Sequence, residues 1–165
     1  RVILKYMKNI WISGSINSGK TTVSKILGER LKKAVIELDS FSEFVASFMK
    51  FEDYIRLNYE IVPEIVDIYN KKGLDVIIVY PIMERKNSSL KDTCKDFTFF
   101  TIDPGMDIAL SDRGNRKLTE WELERIQHHY AHSVNDLTFG TRIESKNLTP
   151  EETAEMIISH INKDQ

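Results

Sequence analysis

The segment ISGSINSGKTT at residues 12–22 constrains the fold of this chain more than any other part of the sequence. Gly14, Gly19, Lys20 and Thr21 stand in it at the spacing Gly-x-x-x-x-Gly-Lys-Thr. An apolar segment precedes the motif and an amphipathic segment follows it. The sequence therefore predicts a strand, a glycine-rich loop and a helix in succession.

The glycine-rich loop is predicted to bind the phosphates of a triphosphate ligand. Its glycines let successive backbone N–H groups face phosphate oxygens, and the helix that begins near Lys20 adds the positive end of its dipole. Lys20 would reach the β- and γ-phosphates, and the Thr21 hydroxyl would ligate Mg²⁺. The alternative is an ordinary turn that binds nothing. The residues expected to contact the nucleotide are Gly14, Ser15, Ile16, Asn17, Ser18, Gly19, Lys20, Thr21 and Thr22.

The composition excludes several classes of protein. A length of 165 residues fits one domain over 1–165. Lys and Arg number 23 against 25 Asp and Glu, which argues against nucleic-acid binding, and the apolar runs are too short to span a membrane. Because Cys94 is the single cysteine and the start lacks a secretory signal, we expect a cytoplasmic protein. Residues 1–6, upstream of Met7, are expected to be an extension without function.

Apolar periodicity and turn residues predict strands that alternate with helices. Strands are predicted at 9–13, 34–38, 75–80, 96–102 and 139–144, and helices at 20–33, 41–72 with a break near Pro63, 119–134 and from 150, capped by Thr149. The segment DVIIVY is apolar enough for burial on both faces, near the centre of a parallel sheet. The pattern predicts an α/β fold, a three-layer sandwich around about five parallel strands, with ligands at their carboxyl ends.

Asp39 follows the second predicted strand in IELDSF, at the same edge of the sheet as the loop. A carboxylate there could accept a proton from an acceptor hydroxyl, or hold a water bound to Mg²⁺. The alternative is that Asp39 or Ser40 caps the following helix. Asp39 is therefore a candidate both as catalytic base and as metal ligand.

A lid is predicted at about residues 104–118, where SDRGNRK carries Arg113, Arg116 and Lys117. Guanidinium groups that fold over a transferring phosphoryl group neutralise its charge and exclude water. Arg113 and Arg116 are thus candidate catalytic residues, with Arg113 also contacting the nucleotide. The alternative is a solvated basic loop.

Several other residues receive a structural interpretation. His128 and His132 lie four apart, but the segment lacks the Glu and Cys partners of a zinc site, so we expect surface or partly packed histidines, with contact between substrate and His129 or His132 the alternative. Cys94 is expected to be structural. Core positions are expected for Trp11, Trp121 and most of the aromatic set Phe41, Phe44, Phe48, Phe51, Tyr54 and Tyr59, which could otherwise line an acceptor pocket.

These segments together resemble the small P-loop kinases of the nucleoside-monophosphate-kinase-like superfamily, and within it the chloramphenicol phosphotransferase-like proteins. The similarity runs from IWISGSINSGKTT through LDSF and DRGNR to TPEETAEMIISHI. It implies ATP-dependent transfer of the γ-phosphoryl group to a hydroxyl of a small-molecule acceptor. Asp39 would be the base, Arg113 and Arg116 would hold the phosphates, and the adenine would pack near Lys146 and Asn147.

The chain departs from these relatives at the end of the strand VIIVYP, where they commonly carry an acidic residue and this sequence has Tyr80 and Pro81. Mg²⁺ would then be held by Thr21 and Asp39 with phosphates and water. One alternative is a nucleotide-binding regulatory protein without transfer activity. Another is a nucleotide, adenylylsulfate or sugar-acid kinase, whose anionic acceptor could be met by Lys50, Arg56, Arg85 and Lys86.

Overall fold

The computed structural model describes residues 9–83, 90, 94–113, 116–132 and 134–163. The predicted extension at residues 1–6 lies outside the described residues. So do Arg85, Lys86 and the pair 114–115 within the predicted lid.

A parallel sheet forms the centre of the fold. Its five strands are β1 (Asn9–Ser13), β2 (Ala34–Glu37), β3 (Val76–Val79), β4 (Phe97–Asp103) and β5 (Thr141–Glu144). The spatial order is β2-β3-β1-β4-β5, so β1, which leads into the glycine-rich loop, is central. Ile10 of β1 aligns with Ile77 of β3 on one side and with Thr98 of β4 on the other. The prediction of five parallel strands is confirmed, and β3, buried along its length, lies next to the centre.

Helices cover both faces of the sheet. They are α1 (Lys20–Leu31), α2 (Asp39–Ser42), α3 (Phe51–Glu60), α4 (Val62–Asn70), α5 (Met106–Ala109), α6 (Glu120–Ala131) and α7 (Pro150–Lys163). The break expected near Pro63 is a boundary between two helices, because proline fits the first turn of α4, where its missing N–H costs no hydrogen bond. Thr149 caps α7 as predicted, accepting from the Glu152 amide at 3.1 Å. No helix of the described ranges is long and apolar enough to cross a bilayer.

Alternate side chains of the strands fill two cores. Trp11 packs on one face with Val62 and Ile65, and its Nε1 donates to the Tyr80 carbonyl oxygen at 2.9 Å. The neighbouring Ile10 packs on the other face, in a core that α1 and α7 complete. These two cores confirm the three-layer sandwich and the core position of Trp11.

The segment that follows β2 corrects two expectations. Residues 43–48 form turns, and 49–50 are irregular, where a helix was predicted; Phe44 and Phe48 in this segment are 81% and 75% exposed. Phe41, Phe51 and Trp121 are also exposed, so the expected core positions are wrong for these aromatic residues, whereas Tyr59 packs against the core. Helices in proteins are stabilised mainly by burial of an apolar face. Because Phe44 and Phe48 are not buried, they do not stabilise a helix in this segment.

Candidate functional site

The glycine-rich loop curves tightly between β1 and α1. Gly14 has φ +143°, and a Cβ on it would lie 2.5 Å from the Ile102 carbonyl oxygen, so no other residue fits without displacement. Asn17, with φ +60°, donates from Nδ2 to the carbonyl oxygens of Ala109 and Ser111 at 3.0 and 2.9 Å. The loop is thus fixed by its own conformation and by the segment after α5. The first turn of α1, whose N–H groups lack intrahelical acceptors, opens into it.

Lys20 lies folded into this loop. Its Nζ donates to the Ser15 carbonyl oxygen at 2.7 Å. Burial lowers the pKa of Lys20 to about 8, against the opposing attraction of Asp39 and Glu37. A phosphate group would offer this ammonium group a stronger, charged acceptor than the carbonyl oxygen.

Glu37 is a site residue that the sequence interpretation missed. It ends β2, and its Oε2 accepts from the Thr21 hydroxyl at 3.2 Å. The sequence signal was its position at the carboxyl end of the second predicted strand, the edge of a parallel sheet at which ligands bind. The described residues hold no group of three or more His, Cys, Asp or Glu side chains arranged for a metal ion. One or two carboxylates and a hydroxyl nevertheless fit Mg²⁺, which takes its other ligands from phosphates and water.

Asp39 faces the cleft instead of capping a helix. The N-cap of α2 is Leu38, and the Asp39 carboxylate accepts from the Tyr54 hydroxyl at 3.2 Å. Burial raises the pKa of Asp39, while the nearby Lys20 ammonium lowers it. A carboxylate with a raised pKa holds a proton more readily, which suits a general base.

Arg113 and Arg116 lie opposite the loop, where their backbones pair across a short antiparallel bridge. A Cβ built on Gly19 would be 3.9 Å from Nη1 of Arg113. Arg116 donates to Glu122 at 2.6 Å, and Glu122 also closes a capping box with Thr119 at the start of α6. Both arginines are exposed, as a solvated loop requires, and both line the same cleft as the glycine-rich loop, named the phosphate loop below for the ligand predicted from its sequence.

Arg125 of α6 is a second residue that the sequence did not single out. Its guanidinium carbon lies 4.9 Å above the centre of the Phe51 ring, and Nη2 is 3.7 Å from the sulfur of Met83. No carboxylate pairs with Arg125 among the described residues. Arg56, by contrast, pairs with Asp53 on the exposed side of α3 and does not line the cleft.

The three histidines of α6 and its end have different environments. His129 is buried, and its Nδ1 lies 3.3 Å from the Ser15 hydroxyl in the phosphate loop. His128 and His132 stack on each other instead, with ring centroids 3.9 Å apart. The expectation of surface or partly packed histidines is therefore wrong for His129.

Cys94 is buried, and burial raises the pKa of its thiol to about 11, in keeping with a structural role.

The glycine-rich loop and the side chains that face it line one cleft of about 810 Å³. Its lining combines the glycine-rich loop and Glu37 with Asp39, Arg113, Arg116, Arg125, His129, Tyr80 and an aromatic wall of Phe51, Tyr54 and Trp121. Trp121, expected in the core, is 58% exposed at this wall. Lys146, expected near the adenine, pairs with Asp107 at 2.7 Å and does not line the cleft.

The comparisons with known proteins bear on the fold. No protein-family model matches this chain, and no curated protein matches it. Solved structures do: a sugar kinase from Janibacter sp. HTCC2649 is 18% identical, with 94% of each chain covered and a TM-score of 0.72. Shikimate kinase from Acinetobacter baumannii, in complex with shikimate, is 15% identical over 96% of this chain and 94% of its own, with a TM-score of 0.72. A gluconokinase from Sinorhizobium meliloti 1021 is 10% identical over 97% and 98%, with a TM-score of 0.64. The chain thus has the α/β fold of small P-loop kinases.

Proposed function

We propose that this chain is an ATP-dependent phosphotransferase that moves the γ-phosphoryl group to a hydroxyl of a small-molecule acceptor. The observation that carries the proposal is that the phosphate loop and Asp39 line the same cleft. A protein that only held a nucleotide would have no use for a carboxylate with a raised pKa at the acceptor side.

The chemistry assigned to these residues is an in-line transfer. The acceptor oxygen bonds to the γ-phosphorus as its proton passes to Asp39, and the bond between that phosphorus and the bridging oxygen of ADP breaks. Lys20 exchanges the Ser15 carbonyl oxygen for the phosphates, and Arg113 and Arg116 neutralise charge that develops on the transferred group. Mg²⁺, held by Thr21 and Glu37 near Asp39, would neutralise the phosphates when bound.

Glu37 bears on the alternative of a nucleotide-binding protein without transfer activity. Tyr80 stands where similar kinases carry an acid, and this favoured the alternative. The contact of Glu37 with Thr21 at 3.2 Å supplies a carboxylate next to the proposed metal ligand from the neighbouring strand. The replacement at Tyr80 is therefore compatible with turnover.

Arg125 favours an anionic acceptor over a neutral one such as chloramphenicol. Arg125 has no carboxylate partner among the described residues, and a guanidinium group held at the acceptor side of the cleft would pair with an acidic group of the substrate. Two structural neighbours are kinases whose names specify shikimate and gluconate, both carboxylates. A sugar acid or a related hydroxy acid is the acceptor class that we infer.

The test is phosphotransfer from Mg·ATP to a panel of hydroxyl compounds, with ATP hydrolysis as control. Gluconate and shikimate are compared with neutral glucitol and with chloramphenicol. Asp39→Asn should lower the transfer rate by about 10²–10⁴-fold while nucleotide binding persists. Full transfer by this variant refutes the base assignment. Nucleotide binding without transfer to any acceptor favours the regulatory alternative.

The acceptor class has its own control. Arg125→Gln should raise KM for the acidic acceptor by about 10–100-fold, the loss expected for one charge-assisted hydrogen bond, and leave a neutral acceptor unaffected. Equal losses for acidic and neutral acceptors would show that Arg125 acts on the fold and not on the acidic group.

A further inference from the structure

Ser15, the second residue of the phosphate loop, is held at all three of its polar atoms. Its amide donates to Oδ1 of Asn135 at 3.1 Å, its hydroxyl lies 3.3 Å from Nδ1 of His129, and its carbonyl oxygen accepts from Lys20. Ser15, His129 and Asn135 are all buried, at 0%, 3% and 4% exposure. Two buried polar side chains, one from the last turn of α6 and one from the segment that follows it, thus converge on a single loop residue.

We propose that His129 and Asn135 are positioning residues, which hold the phosphate loop in its nucleotide-binding shape through Ser15. Glycines would leave such a loop conformationally free if nothing held it, and a loop that the fold orders before binding does not lose that freedom when the ligand arrives. Lys20 cannot be a permanent anchor, because it must leave the Ser15 carbonyl oxygen to reach a phosphate. His129 and Asn135 keep their contacts with Ser15 as Lys20 moves.

The anchor is itself fixed to the sheet. The other end of the Asn135 amide donates to the Asp103 carboxylate at 3.3 Å, where β4 ends. The same carboxylate accepts from the Tyr130 hydroxyl at 2.8 Å and pairs with Arg142 of β5. The Asn135 and Asp103 side chains thereby connect the phosphate loop to β4 and β5.

The imidazole suits this place because it is neutral. Burial lowers the pKa of His129 to about 3, helped by the charges of Arg125 and Lys20 and by the neighbouring His128 and His132. A neutral ring can share a hydrogen bond with the Ser15 hydroxyl without adding a cation beside Lys20. Its contact to the loop distinguishes His129 from the exposed His132, one turn further along.

The test is calorimetric titration of ADP and of a non-hydrolysable ATP analogue with Mg²⁺, which needs no acceptor. His129→Ala should weaken nucleotide binding about fivefold, as expected for one lost hydrogen bond, whereas His129→Asn, which keeps a polar atom near the Nδ1 position, should stay within about twofold. His132→Ala is the matched control and should bind like the wild type. Adding His129→Ala to Ser15→Ala should cause no further loss, because His129 acts through that hydroxyl.

Each other outcome overturns the proposal. Wild-type affinity in His129→Ala, or additive losses in the double variant, would show that His129 does not act through Ser15. If His129→Ala does not fold, Ser15→Ala must by itself show the loss, and wild-type affinity there is equally decisive. The inference rests on the proposed function only for nucleotide binding. Binding without transfer would overturn the phosphotransferase alone, whereas absence of binding by the wild type would overturn both.

Discussion

Nucleotide affinity should fall steeply as pH rises above 8, because of Lys20. Burial holds the pKa of this ammonium group at about 8 in the protein without nucleotide. Only the protonated form attracts phosphates, and a bound phosphate restores the pKa toward its ordinary value of about 10.4. Above pH 8 binding therefore requires uptake of a proton, and this uptake becomes less favourable with each further step in pH.

The size of the effect follows from the protonated fraction. With the pKa of Lys20 at about 8, about three quarters of the molecules carry the proton at pH 7.5 and about 3% at pH 9.5. The dissociation constant for ADP should thus rise about twentyfold over this interval. Burial raises the pKa of the Tyr54 and Tyr80 phenols above their ordinary value, which is away from this interval.

The assay is titration of ADP by calorimetry in matched buffers from pH 7.5 to 9.5, with thermal melts to verify that the chain stays folded. Lys20→Arg is the control, because a guanidinium group keeps its proton throughout. Its affinity is expected to be lower but independent of pH. A wild-type affinity that changes less than about twofold, or the same slope in Lys20→Arg, would refute the assignment of the effect to Lys20.

Three further predictions concern stability, measured by urea unfolding. Gly14→Ala should cost about 1–3 kcal/mol and weaken ADP binding, because its Cβ would meet the Ile102 carbonyl oxygen at 2.5 Å; unchanged stability would contradict this. Asn9→Ala should cost about 1–3 kcal/mol, since Oδ1 of Asn9 accepts from the buried Val76 amide at 3.0 Å; a loss below this range would indicate another acceptor. Thr119→Ala removes the cap of α6 and should cost about 1 kcal/mol, whereas Thr119→Ser should not.

The sheet was predictable because its determinants are local. DVIIVY is an unbroken apolar run, and the glycine spacing between a strand and a helix predicted where β1 ends and α1 begins. Thr149 before a proline and two acids likewise fixed the start of α7. Each of these features is a property of neighbouring residues, so a single sequence was enough to locate the element.

The residues that the sequence missed depend on contacts between distant segments. Glu37 becomes part of the site only because β2 brings it to Thr21, 16 residues earlier. His129 becomes part of it through Ser15, 114 residues away. Contacts between distant segments also explain the error at Phe44 and Phe48. Their apolar character predicted burial, but no other element that the structure describes covers them and both are exposed.

One face of α6 contributes residues to the cleft that the positions of the strand ends do not predict. Glu122, Arg125 and His129 are spaced three and four residues apart, so they lie along one side of the helix. From that side Glu122 pairs with Arg116, Arg125 lies over the Phe51 ring and His129 contacts Ser15. A rigid helix therefore fixes the distances between the groups assigned to lid, acceptor and nucleotide. A shift of α6 along its axis would disturb all three together, which makes this helix an element that sets the geometry of the site.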